Sequence, residues 1–280
     1  MDIKNILNKK IIENNNYRII SNHPCYNVNA MHKYGRLHLP VAPKCNIQCN
    51  YCDRRFDCVN ESRPGVTSKV LKPTEAFEIT KKILTTSPHI TVIGIAGPGD
   101  PLYNKETFET LDLINLKYPN INLCISTNGL LLKDKINQLL NYNLKTITVT
   151  VNSIDSLILN NIISYVFYNN KKYYGTEASS LLIKNQIEGI KKAIDNNIII
   201  KINTVYIPSI NDKHIIEISK YMQSIGVYIM NIIPLIPQSK FNFIQKPNMN
   251  DINNIRLQCS KYIKQMNHCK QCRADACGYL

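Results

Sequence analysis

From about residue 37 onward the chain alternates between two patterns, and this alternation constrains its fold more than any other feature. Apolar runs suited to buried strands stand at Leu37–Ala42, His89–Ala96, Ile121–Ser126, Leu144–Val151, Ile198–Tyr206 and Val227–Ile233. Stretches of helical periodicity separate them, one beginning at Thr74 and others over 105–116, 133–141, 155–167, 178–196 and 213–224. A last helix is expected over 249–267, and a polar interruption spans Asn169–Gly175. Strands alternating with helices build a parallel sheet with right-handed crossovers. Six such units fall two short of a closed eight-stranded barrel. The expected fold is α/β, an open partial (β/α)6 barrel of the TIM type, with a doubly wound sheet as the alternative. Residues 37–235 form its body, with Cys-bearing extensions at 1–36 and 236–280.

Composition removes several classes. With 280 residues, 44% of them hydrophobic, and only 13 Pro and 10 Gly, the chain can bury a core and is neither collagen-like nor wholly disordered. It has no run of about 18 apolar residues to span a membrane. The opening Met1-Asp2-Ile3-Lys4 does not read as an export signal. A cytoplasmic protein without a membrane partner is expected. The 34 Lys and Arg outnumber 20 Asp and Glu, for a net charge of +14, yet they are scattered among Asn and Ile without forming a block. That distribution argues against a nucleic-acid partner. A zinc-stabilised RNA-binding protein would set clustered basic residues beside exposed aromatics, whereas the 16 Tyr are dispersed.

The ten cysteines are unevenly placed: five from Cys25 to Cys58, Cys124 alone, and four from Cys259 to Cys277. In a reducing compartment they are metal ligands or catalytic groups rather than disulfides. Loops that follow barrel strands gather on one rim, and the unusual residues fall on such loops. Cys45, Cys49, Cys52 and Cys58 follow the first strand, Gly97 and Gly99 the second, Ser126-Thr127-Asn128 end the third, and Asn152 the fourth. Three thiolates spaced Cys45-x3-Cys49-x2-Cys52 can hold three irons of a 4Fe–4S cube and leave the fourth open. Zinc is the alternative, with Cys58 as fourth ligand. The glycines also read as turn residues and the polar residues as helix caps. Strand alternation puts Asn122, Cys124 and Ser126 on one face, so Cys124 points into the barrel. Cys269-x2-Cys272 offers a further metal site, and Cys25 and Cys58 are soft ligands that a fold could bring to Cys124.

The Cys45–Cys52 spacing, in the loop after the first barrel strand, resembles the radical S-adenosylmethionine (SAM) superfamily over roughly residues 37–235. The resemblance implies that Cys45, Cys49 and Cys52 hold a SAM-cleaving 4Fe–4S cluster whose open iron chelates the amino and carboxylate groups of SAM. Tyr51 matches the aromatic common between the last two cysteines. Gly97 and Gly99 stand where a glycine-rich segment meets the methionine ammonium, although Gly97-Pro98-Gly99-Asp100 departs from the commoner Gly-Gly-Glu-Pro. Asp100, Ser126, Thr127, Asn128, Asn152 and Asn203 complete the implied SAM contacts.

A narrower resemblance covers nearly the whole chain. His23-Pro-Cys-Tyr-Asn27, Cys45–Cys52, Glu61-Ser-Arg-Pro-Gly-Val66, Ala96–Pro101 and Cys269-Lys-Gln-Cys-Arg-Ala-Asp275 are together similar to the NifB family of nitrogenase cofactor maturases. This implies a lyase- or transferase-type enzyme that fuses two 4Fe–4S clusters, K1 and K2, around a carbide taken from a SAM methyl group. With a ninth sulfur, the product is the 8Fe–9S–carbide precursor of the nitrogenase cofactor. Cys25, Cys58 and Cys124 are the implied K2 ligands; Cys269 and Cys272 are those of K1, completed by a histidine, His38 first and His23 second. Cys124, Glu61 and Arg63 are the implied catalytic residues. The last two could handle protons or grip the SAM carboxylate, or simply pair with each other. Three 4Fe–4S clusters and SAM are thus expected. Implied partners are iron–sulfur cluster donors, a product carrier or cofactor-assembly scaffold, and an electron donor such as ferredoxin or flavodoxin. Cys277 stands where this family's tail has a small or apolar residue. Longer members carry an appended carrier-like domain; with this chain ending at Leu280, its product is expected to pass to separate proteins. The competing expectation is another radical SAM enzyme with auxiliary clusters, such as a peptide-modifying maturase, although those often carry a longer Cys-rich extension than the one beginning at Cys259.

Overall fold

The computed structural model describes residues 16–60, 62, 63 and 65–280. Its centre is an open sheet built on six parallel strands: β1 (Gly35–His38), β3 (Ile90–Ile95), β4 (Asn122–Thr127), β5 (Leu144–Thr150), β8 (Ile199–Tyr206) and β9 (Ile229–Pro234). They lie side by side in chain order, which is the expected partial barrel rather than a doubly wound sheet. Strands such as ITVIGI and IIKINTVY are buried along nearly their whole length, as parallel strands covered on both faces must be. One face meets the helices Pro73–Thr86, Lys105–Lys117, Leu132–Leu139, Gly175–Asp195 and Ile215–Ser224. Ile93, Leu111, Ile125, Ile136, Ile147, Ile190, Ile202 and Ile218 fill that core. At about 25 cal/mol per Å2 of apolar area, this layer supplies most of the driving force for folding.

Three local expectations are corrected. The first helix starts at Pro73, not Thr74, and its entry is fixed by Lys72 N donating to the Glu75 carboxylate at 2.8 Å; Pro at the first helical position is preorganised for that geometry. The helix expected over 155–167 ends at Asn160, and a hairpin of β6 (Ile163–Tyr168) and β7 (Lys171–Tyr173) follows. Asn169 and Asn170, at φ 48° and 59°, make its two-residue turn, the conformation that Asn tolerates best after Gly. The helix expected over 249–267 stops at Cys259. Two very short strands follow, β10 (Lys264–Gln265) and β11 (Cys277–Gly278). β10 adds parallel to β9 and β11 antiparallel to β1, extending the sheet at opposite ends without closing it.

The first cysteine loop carries a strand of its own. β2 (Ile47–Cys49) pairs antiparallel with β6, so that β2, β6 and β7 form a second small sheet. Tyr51, Leu130, Leu159, Val166, Leu182 and Phe241 pack around it. The hairpin therefore braces the loop bearing Cys45, Cys49 and Cys52. No helix among the described residues is long and apolar enough to cross a membrane.

Candidate metal centre

Two cavities lie on the inner side of the sheet, and between them they take in eight of the ten cysteines. The second has about 470 Å3 of empty space, lined by Cys45, Cys49, Cys52 and Cys58 with Tyr51, Arg54, Gly99, Asp100, Thr127 and Asn128. The first, of about 630 Å3, is lined by Cys25, Cys124, Cys269 and Cys272 with His23, His38, Arg36 and Lys201. Asn60, Ala96 and Ser126 line both.

The cysteine loop is held at the second cavity by close backbone packing. A Cβ at Gly99 would collide with the Lys44 carbonyl, so only glycine lets the loop after β3 pass directly beneath the residue before Cys45. Asp100 does not reach outward. Its carboxylate accepts from Leu102 N at 3.0 Å, Thr127 Oγ1 at 2.8 Å and Asn128 N at 2.6 Å. Burial pushes this acid up, and the bonds from Asn128 and Thr127 pull it back. Asn128 carries the link onward, its side-chain amide donating to Asn46 Oδ1 at 2.7 Å and towards Cys45 Sγ at 3.7 Å. The Tyr51 hydroxyl donates to Asn60 Oδ1 at 3.0 Å and accepts from Asn152 Nδ2 at 2.7 Å. Asn152 also accepts from Val205 N at 2.9 Å. Its side chain makes these bonds and lines neither cavity. Gly97 is likewise absent from both linings.

The first cavity follows from strand register. His38, Gly94 and Cys124 form one row across β1, β3 and β4. With no side chain at Gly94, the row becomes a trough between histidine and cysteine. A Cβ there would stand 3.0 Å from His38 Cδ2. Cys124 faces this trough beside Ser126, as alternation requires. His38 Nδ1 lies 3.1 Å from the Arg273 carbonyl oxygen. A carbonyl only accepts, so Nδ1 carries the proton and Nε2 keeps a free lone pair. His23 is the reverse: Nδ1 accepts from Cys25 N at 3.2 Å, which leaves a protonated Nε2, buried and without a hydrogen-bond partner. Burial pulls His23 down to about 3 and His38 to about 4. Burial likewise pushes Cys25 up to about 12 and Cys45 up to about 11, so both are thiols at neutral pH until an electrophile replaces the proton.

The structure divides the expected ligands differently from the resemblance at one point. Cys58 lies with Cys45, Cys49 and Cys52, and Cys25 and Cys124 lie with Cys269 and Cys272. Cys259 is packed in the helix-side core, its Sγ 3.9 Å from the Ile215 carbonyl oxygen. Cys277 is exposed on β11. Arg63 is exposed and lines neither cavity; Glu61 lies outside the described residues. Asn203 lines the first cavity and donates to the Asn60 carbonyl at 3.1 Å. Sequence reasoning missed Asn60, Arg36 and Lys201. The last two had a signal: each is a cation inside an apolar strand, two positions from a residue facing the trough.

The donor set suits iron–sulfur chemistry. Four thiols share each cavity, and soft thiolate donors with apolar walls are what such clusters require. Among the described residues no three His, Cys, Asp or Glu side chains converge as they would on one mononuclear ion.

Comparison with known proteins agrees. Residues 39–222 match the radical SAM superfamily. The FeMo cofactor biosynthesis protein NifB of Methanocaldococcus infernus is 52% identical over 264 residues, covering 94% of this chain and 87% of that protein. Its namesake in Methanocaldococcus jannaschii is 51% identical over 261 residues, covering 92% and 86%. The Klebsiella pneumoniae NifB is longer: 42% identity over 265 residues covers 92% of this chain and 57% of that one. Among solved structures, Streptococcus suis SuiB bound to S-adenosylmethionine superposes with a TM-score of 0.58 at 15% identity, covering 83% of this chain and 50% of that one. A radical SAM methyltransferase from Sphaerobacter thermophilus gives 0.56 at 16% identity, covering 83% and 64%. At such identities the likeness is one of fold.

Proposed function

The chain belongs to the radical SAM superfamily and, within it, to the NifB family of FeMo cofactor biosynthesis proteins, and from that premise we propose that it fuses two 4Fe–4S clusters around a SAM-derived carbide. The observation that carries this reading is the common wall of the two thiol-lined cavities, formed by Asn60, Ala96 and Ser126. Chemistry begun in one cavity must reach cargo in the other, and adjacency supplies the needed proximity.

On this reading Cys45, Cys49 and Cys52 hold the resident cluster. Together with bound SAM and an external electron donor, that cluster supplies reductive SAM cleavage and a SAM methyl group. The rest falls to the chain. Asp100 fixes Thr127 and Asn128 at the end of β4, and Asn128 in turn orients the Cys45 thiolate. Gly99 and Ser126 leave room for SAM, while the Tyr51–Asn60–Asn152 bonds hold the cysteine loop against the ends of β5 and β8. The substrate clusters occupy the first cavity: K1 on Cys269, Cys272 and His38, K2 on Cys25, Cys124 and Cys58. The free lone pair on His38 Nε2 supports it over His23 as the nitrogen ligand, and imidazole is a ligand that can depart as clusters merge. Cys58 serves K2 from the far side of the shared wall, two residues from Asn60, which reaches both cavities. Residues 37–235 then form the SAM-cleaving body, and the segments before and after it bring three of the six cargo ligands, Cys25, Cys269 and Cys272. The product passes to cofactor-assembly proteins.

Iron and acid-labile sulfide, counted on anaerobically reconstituted protein, test this. About twelve irons per chain, falling to about eight in Cys45→Ala/Cys49→Ala/Cys52→Ala, are expected from three cubes. About four falling to none would overturn cluster fusion and leave a single-cluster radical SAM enzyme.

A further inference from the structure

The pairs Pro24-Cys25 and His268-Cys269 lie 244 positions apart in sequence and one hydrogen bond apart in space. His268 Nε2 stands 2.9 Å from the Pro24 carbonyl oxygen. A carbonyl only accepts, so Nε2 carries the proton and donates. Pro24 is buried, and its own turn leaves its carbonyl without a donor: Tyr26 N and Asn27 N both go to the His23 carbonyl, and Cys25 N goes to His23 Nδ1. A buried carbonyl needs a partner, and here the tail supplies it.

Each side of this link is anchored to a different part of the sheet. Tyr26 Oη donates to the Ile147 carbonyl on β5 at 3.3 Å, and Met266 N donates to the Met230 carbonyl on β9 at 2.8 Å. Cys25 and Cys269 both line the first cavity and both pack against the small apolar cluster of Tyr26, Ile199, Ile229 and Met266. They come from segments on opposite flanks of the barrel body, and such flanking segments hold a fixed place only where something ties them down. Two clusters that must meet tolerate little error in that placement. We infer that His268 is a positioning residue that sets the spacing between the two cargo clusters, by joining the backbone that carries Cys25 to the backbone that carries Cys269. Its imidazole does not touch the cargo; it acts through the Pro24 carbonyl. The inference rests on the proposed cluster-fusion function, in which Cys25 serves K2 and Cys269 serves K1.

The test compares wild type with His268→Leu, which keeps bulk and removes the donor, and His268→Gln, whose amide offers a donor at similar reach. In the metal-free chain, hydrogen exchange is followed by mass spectrometry over residues 20–31 and 264–280. His268→Leu is expected to speed exchange about threefold or more in both segments together while β3–β5 stay as in wild type, and His268→Gln to restore slow exchange. After anaerobic reconstitution, His268→Leu keeps about twelve irons per chain. With carbon-14 in the SAM methyl group and dithionite as reductant, the carbon retained with the iron and not released by acid as methanethiol is counted per 5′-deoxyadenosine formed. That ratio is expected to fall about tenfold in His268→Leu and to recover in His268→Gln. If His268→Leu does not fold, His268→Ala is read in its place by the same criteria. Wild-type exchange or a wild-type ratio in the variant without the donor would overturn this inference alone, as would failure of His268→Gln to restore both. A lost cube in His268→Leu would also overturn it, since retention rather than spacing would then be at stake. A wild type holding only about four irons would overturn the fusion reading and this inference with it.

Discussion

Asp57 is fully buried between two segments that carry candidate ligands. Its carboxylate accepts from Ser68 N at 2.9 Å and Ser68 Oγ at 2.6 Å, and meets Ala274 N at 3.5 Å. It thus staples the Cys58 loop shut and docks the tail onto it. Asp57→Ala strands those donors and is expected to cost roughly 2–3 kcal/mol, read as a lower urea midpoint at unchanged slope. Gly99→Ala forces a methyl group into the Lys44 backbone. The expected loss is roughly 1–3 kcal/mol, accompanied by weaker iron binding at Cys45, Cys49 and Cys52; wild-type iron content and melting temperature would contradict the close packing described. At this scale the cysteines were legible because they are soft, clustered and tightly spaced. Asn60 and Asp57 were not. They are ordinary residue types, and what they do depends on partners such as Asn203 and Ala274, 143 and 217 positions away.

The hairpin β6–β7 shows where elements become illegible. Leu157–Tyr168 is apolar enough to satisfy either a helical or an extended reading, and short apolar runs do not distinguish the two. The turn signal was present in Asn169-Asn170, but in a chain so rich in Asn it looks like one more polar interruption. Its left-handed backbone gives a test. Replacing both residues by Ala is expected to cost roughly 1 kcal/mol per position, since Ala bears the same Cβ strain without the short polar side chain that lets Asn adopt this conformation. Because β6 pairs with β2, the same variant should release iron from the Cys49 strand faster than wild type under chelator challenge, with the first cavity's iron less affected. The two-residue strands β10 and β11 had no readable pattern, being too short for any period to show.

For the whole molecule, the alternation led to six parallel strands and favoured a partial barrel over a doubly wound sheet, the strand order observed, and the two-residue period of β4 placed Cys124 on the inward face. What could not be read was which cysteines share a cavity, because that depends on how far the tail folds back. The cavity also sets the acid behaviour of the metal-free protein. His23 and His38 stay neutral down to about 3 and about 4, whereas the unfolded chain takes up protons near 6.5. Between those values the unfolded state binds more protons, so stability that is complete above pH 6.5 falls as the pH drops. The slope reaches roughly 1.4 kcal/mol per pH unit for each histidine. Urea midpoints at pH 7.5 and 5.5 should differ accordingly, and His23→Gln/His38→Gln should flatten the difference. The bonds from Arg36 to the backbone of residues 278 and 279 join points 242 and 243 positions apart, and β11 closes onto β1 in the same place. On a ribosome, the lining of the second cavity, from Cys45 to Thr150, and its brace β6 have emerged well before that contact can form. The second cavity can therefore close while the chain is still being made, whereas the first, whose wall includes Cys269, Cys272 and Leu280, still lacks a side.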